Sequence, residues 1–269
     1  MRELLKTDLK RVLKDKLFLV LCIIAVAFAL FMPLLFKLLF GMMEMEDILG
    51  MVVDAKTLLF SAFMPGDNFG LICAVLLTII LCKDFSQGTI RNKIICGKKR
   101  SHVFLSLFIT ACIILCAVML AHALLTLGVS LCFFDYQATE FTAADFGTLM
   151  LSLLFEMFVY AFVAALIACL CVSMKNAGLA VVLYVAITFL CTILGSIVSA
   201  ALAFSNPDDT FTHGLLTFLN NINLFVSPVI GNVASYGWKE LLYVLVPSLV
   251  GAALFVGAGL LIFKKKDLK

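Results

Sequence analysis

The side chains able to hold a metal, take a proton or attack a carbonyl are scarce in this chain and lie far apart. Its three histidines, His102, His122 and His213, are scattered. Eight of the ten cysteines (Cys22, Cys73, Cys82, Cys112, Cys116, Cys169, Cys171 and Cys191) lie inside apolar runs without metal-ligand spacing. They read as small core hydrophobes. Only Cys96 and Cys132 lie near loops, predicted below to be on opposite sides of a membrane, and no disulfide is expected. The motifs G-x-x-x-x-G-K-[ST], H-E-x-x-H and G-x-S-x-G are absent. A non-catalytic chain is expected, with no metal and no cofactor of its own.

Two ionisable groups fall inside apolar stretches. Glu156 lies a few residues from the outer end of the fourth predicted span and His122 at a similar depth in the third. Ionisable groups there are costly and face protein or a water-filled cavity. The two spans run antiparallel, so His122 and Glu156 are a candidate polar pair. For Glu156 a structural or interfacial role is favoured over contact with a substrate.

The elements that position these groups follow from composition. The chain is 64% apolar and 14% charged, with a mean hydropathy of +1.15, against roughly 45–50% and about 25% for a soluble domain. No water-soluble surface can be built from that inventory, and the small net charge of +3 implies no nucleic acid. At roughly 20 apolar residues per crossing, the sequence divides into an all-α polytopic membrane fold of six spans, at about 17–36, 58–82, 102–127, 149–172, 177–204 and 241–263. Leu17 to Phe36 is too long for a signal-peptide core and no small-residue cleavage site follows, so it is expected to remain as the first span. The second is irregular: Phe69 to Cys82 is too short to cross, so the stretch from Thr57 is joined to it through Pro65-Gly66-Asp67-Asn68 as a broken outer half. Residues 1–16 have Leu4, Leu5, Leu9, Val12 and Leu13 at helical spacing with lysines mostly opposite, which predicts an amphipathic interfacial helix. Residues 205–240 are only half polar and read as an outer re-entrant or interfacial segment anchored by Trp238.

All of the twenty Lys and Arg residues except Lys37, Lys56 and Lys239 fall on one side of these spans. Basic short loops stay in the cytoplasm, which predicts that both termini are cytoplasmic. In the loop 83–101, Ile90, Ile94 and Ile95 line one face of a short helix, Gly97 suits its stop and Ser101 can cap the next span. An exposed isoleucine stripe there is expected to receive a partner.

The same loop resembles a known family. Asp84-Phe85, then Gly88-Thr89-Ile90-Arg91, then a basic Lys99-Arg100 leading into the third span, is similar to the loop between spans two and three of ABC-2-type ABC transporter permease subunits. The likeness covers the whole chain in architecture, while its specific signal is confined to residues 84–100. The resemblance implies an export permease half in a bacterial plasma membrane, paired with a second, identical or different, half and with separate ABC ATPase subunits that bind the ATP. It implies that Phe85, Gly88, Thr89, Ile90, Arg91 and Ile94 couple to the ATPase, with membrane lipid as the remaining partner. The competing reading is a stand-alone secondary carrier or membrane receptor.

Overall fold

The computed structural model describes residues 1–43, 54–66, 68–135, 142–174, 176–205, 210–225 and 238–265. Among these the chain is helical, with no strand: α1 (Arg2–Leu13), α2 (Lys16–Met43), α3 (Ala55–Phe63), α4 (Asn68–Ser86), α5 (Thr89–Ile95), α6 (Arg100–Ser130), α7 (Ala143–Ser173), α8 (Ala177–Phe204), α9 (Thr210–Ile222) and α10 (Trp238–Lys265). Six of them, α2, α4, α6, α7, α8 and α10, are long and apolar enough to cross a membrane, and the fold is that of a multi-pass all-α membrane protein.

α6 and α7 form the middle of the bundle. α7 packs along α10 and α6, α2 and α3 lie on α6, and α8 lies on α4. The buried core runs through Leu107, Leu115 and Met119 of α6, Tyr160 and Leu166 of α7 and Leu77 and Leu81 of α4. By contrast α2, α8 and α10 turn rows of large apolar residues outward, among them Leu19, Leu30 and Leu39, Leu179, Phe189 and Ile197, and Leu242, Leu254 and Ile262. Without water to exclude, such rows are at rest only against lipid or another apolar surface.

α3 and α4 meet at a turn where the sequence placed one, although α4 is long and apolar enough to cross without α3. Asp54 caps α3 by accepting from the Thr57 N–H at 2.7 Å, and the Ala55 N–H donates to Asp135 just beyond α6 at 3.0 Å. From there α3 descends to Phe63, whose carbonyl accepts from Tyr160 Oη at 2.6 Å, about 26 Å along α7 from Ala143 at ~1.5 Å per residue. The turn at Pro65 and Gly66 follows, and α4 carries on. A carbonyl freed at that depth is costly unless it is satisfied by protein, and the tyrosine supplies the partner. α4 runs four residues past the expected end, because Lys83 and Asp84 find partners there.

α9 packs on α8 and α10. The asparagines that interrupt its apolar pattern are its fastenings: Asn220 Oδ1 accepts from Ser199 Oγ at 2.8 Å, and Asn223 Nδ2 donates to the Cys191 carbonyl at 2.7 Å. Phe211, Leu215 and Phe218 stay exposed. Residues 206–209 and 226–237 of the outer segment lie outside the described residues.

Candidate functional site

The loop singled out by sequence forms one end of the bundle. Gly88, at φ 71°, adopts the left-handed conformation that costs any residue with a Cβ, and turns α4 into α5. Gly97, at φ 81°, ends α5: its N–H donates to Ile94 at 2.9 Å, and the Lys98 N–H to Lys93 at 3.2 Å. These are the two bonds of a Schellman stop. α6 then begins at Arg100 without a side-chain cap, so Ser101 lies inside the helix rather than capping it.

The isoleucine stripe does not face outward. Ile90 is 2% exposed and Ile94 packs on the same core, while Ile95 is 71% exposed. A seven-residue helix on a bundle has one face to bury, and the i, i+4 pair takes it. Arg91, Asn92 and Ile95 form the outward face, and Thr89 is half-buried. Phe85 is also internal, its ring edge-on to Phe263 at 6.4 Å. Arg100 donates to the carbonyls of Phe263 and Lys264 at 3.3 and 3.1 Å, satisfying the end of α10.

Among the described residues three ion pairs, none of them foreseen, join α1 and the turn that follows it to this end. Arg11 pairs with Asp84 of α4. Lys83 donates to both oxygens of Asp15 at 2.9 Å. Lys93 of α5 donates to Asp8, whose second oxygen accepts from Ser106 Oγ of α6 at 2.6 Å. The buried face of α1 is therefore Leu4, Asp8 and Val12, and it lies against α6. An acid at the centre of an apolar stripe was the available signal, because a carboxylate is buried only with a partner. Lys6, Lys10 and Lys14 are exposed.

Burial lowers the affinity of the Arg11 guanidinium for its proton, against the charges of Asp8 and Asp15, yet arginine stays charged. At Asp15 burial pushes the carboxyl up, but the bonds from Lys83 and from the Leu17 N–H, with the charges of Lys83 and Arg11, outweigh it and hold the group below its usual range. A folded value below the unfolded one means that the bridge stabilises above about pH 4 and that this is lost as pH falls through the folded value. Thermal unfolding in detergent is expected to show such an acid loss, and Asp15→Asn is expected to remove that component.

His122 and Glu156 do not pair. His122 Nδ1 bonds the Ala25 carbonyl of α2 at 3.0 Å, and its ring lies on Phe69 with centroids 4.1 Å apart. Neither carboxylate oxygen of Glu156, 1% exposed, has a hydrogen-bond partner among the described residues; Tyr160, one turn on, spends its hydroxyl on Phe63. The pairing fails on depth and on direction. His122 is roughly 12 Å from the Ser130 end of α6 and Glu156 roughly 20 Å from the Ala143 end of α7, and the histidine faces α2 and α4. On α8, Ser199 holds α9 and Gly195 lines a cavity beneath it.

The ten cysteines are free thiols; Cys82 and Cys171 meet at 3.1 Å between α4 and α7. Among the described residues no three of His, Cys, Asp and Glu gather as metal ligands do.

No curated protein matches the chain. Residues 55–269, from α3 to the C-terminal residue, match a family described as a protein of unknown function, DUF2705, and the chain belongs to that family.

Proposed function

We propose that this chain is the membrane-spanning half of an ATP-driven exporter of the ABC-2 type, with both termini in the cytoplasm of a bacterium and the α5 end offered to a separate ATPase. The observation that carries the reading is the linkage of α5. Through Lys93, Asp8 and Ser106, a short helix with an outward face of Arg91, Asn92 and Ile95 is bonded to both α1 and α6. A force applied to α5 is thereby delivered to spans that lack chemistry of their own. The likeness of residues 84–100 to the coupling loop of ABC-2 permeases and the cytoplasmic bias of lysine and arginine support the same reading. A second permease half would cover part of the outward apolar rows, and lipid the rest.

The test is co-expression with an ATPase encoded beside this chain, followed by co-purification. Ile95→Asp is expected to reduce the recovered ATPase roughly tenfold, a loss of about 1.4 kcal/mol of binding, while leaving the melting temperature nearly unchanged because the side chain is largely exposed. Recovery at the wild-type level would overturn the assignment of α5 as the docking element.

A further inference from the structure

A cavity of about 200 Å³ lies between α2, α3, α4 and α6. Phe28, Phe36 and Phe69 give it apolar walls, and its polar groups are Ser61, His122 and Thr126. Each hydroxyl has already spent its hydrogen: Ser61 Oγ donates to the Leu58 carbonyl at 2.9 Å and Thr126 Oγ1 to the His122 carbonyl at 2.9 Å. Both keep lone pairs. His122, 4% exposed, is fixed in the same sense. Its Nδ1 faces the carbonyl of Ala25, which can only accept, so in the neutral ring Nδ1 carries the hydrogen and Nε2 the lone pair. The ring's hydrogen bond runs through Nδ1, and Nε2 makes none among the described residues. Among the described side chains that line it, the cavity thus offers acceptors and no free donor.

We propose that this cavity is a binding site for a ring-sized apolar group that carries a hydrogen-bond donor, a hydroxyl first of all, received by His122 Nε2. Size fits, since an apolar cavity of about 150 Å³ accommodates benzene. Chemistry selects further: a ligand with only acceptors would leave its own oxygen and the histidine facing each other unpaired, and an unpaired buried polar group costs more than a made bond returns. Residues on both sides of the turn between α3 and α4 line the space, and irregular backbone at membrane depth belongs where it is buried in protein or lines a cavity. The site stands independently of coupling to an ATPase, because it needs only this chain.

The test is ligand-observed ¹⁹F NMR on the full chain in lipid nanodiscs, with empty nanodiscs as background, using 4-fluorophenol and 4-fluoroanisole as probes. The phenol is expected to bind about five- to tenfold more tightly than the anisole, the worth of one hydrogen bond. In His122→Phe, which keeps a ring and removes the acceptor, the preference is expected to vanish. Thr126→Val and Ser61→Ala are expected to weaken the phenol by a smaller factor and keep the test alive where the histidine variant does not fold. Equal binding of the two probes to the wild-type chain, or a preference that survives in His122→Phe, would overturn the proposal.

Discussion

Asp8→Ala is expected to cost about 3–5 kcal/mol of stability, the penalty of removing one partner from a buried ion pair. The substitution leaves the Lys93 ammonium, whose side chain is 13% exposed, without its carboxylate, and leaves Ser106 Oγ of α6 without its acceptor. α1 loses its tie to α5 and α6 and keeps only Arg11–Asp84 and Lys83–Asp15. The measurement is chemical unfolding in detergent, together with the rate at which a protease cuts within residues 1–15. The double variant Asp8→Ala, Lys93→Met is expected to recover most of the loss, since replacing a buried pair by apolar groups is often neutral. A cost below about 1 kcal/mol for Asp8→Ala, the level of an exposed pair, would mean that the Lys93–Asp8 pair does not hold α1 in place.

Gly70→Ala is expected to be as damaging, for a different reason. A Cβ at this position in the first turn of α4 meets the Met64 carbonyl oxygen and the Cα of Pro65. Those atoms are backbone, so no rotamer change can make room. Overpacking costs about 1–3 kcal/mol where side chains yield, and here the deep turn between α3 and α4 must itself move, releasing the Phe63 carbonyl from Tyr160. Loss of the monodisperse peak in size-exclusion chromatography of the detergent extract is the expected outcome. Gly128→Ala in α6, where a Cβ meets nothing within 4 Å, is expected to be neutral or stabilising by up to about 1 kcal/mol, as alanine is the better helix former.

What the sequence revealed and what it hid divide on physical lines. The six helices long enough to cross were legible because apolar length is a local property, and so was the turn at Pro65 and Gly66, although the fourteen-residue run that prompted it belongs to a helix of 19 residues that is long enough to cross without α3. Gly97 was legible as a stop for the same reason. The ion pairs were not: Asp8 meets partners 85 and 98 positions away, and only the presence of an acid between Leu4 and Val12 hinted that α1 would be covered by protein. The isoleucines of α5 were seen as a stripe, but a stripe does not say whether its cover is another chain or the helix's own neighbours. His122 and Glu156 were brought together by counting from span ends. That count was short by six residues on α7, which begins at Ala143, so Glu156 sits deeper than the count implied.

The outward rows on α2, α8 and α10 set a thickness. Leu19 to Leu39 and Leu242 to Ile262 each cover about 30 Å of helix, the depth of an ordinary hydrocarbon core, whereas Leu179 to Phe204 on α8 covers about 38 Å. A bilayer matched to two faces of the protein is too thin for the third. Tilt of α8 or local thickening of the lipid beside it absorbs the mismatch, at fractions of a kcal/mol per Å. α9 and the cavity beneath it are fastened to that helix, so the thickness of the surrounding bilayer is expected to bear on their geometry.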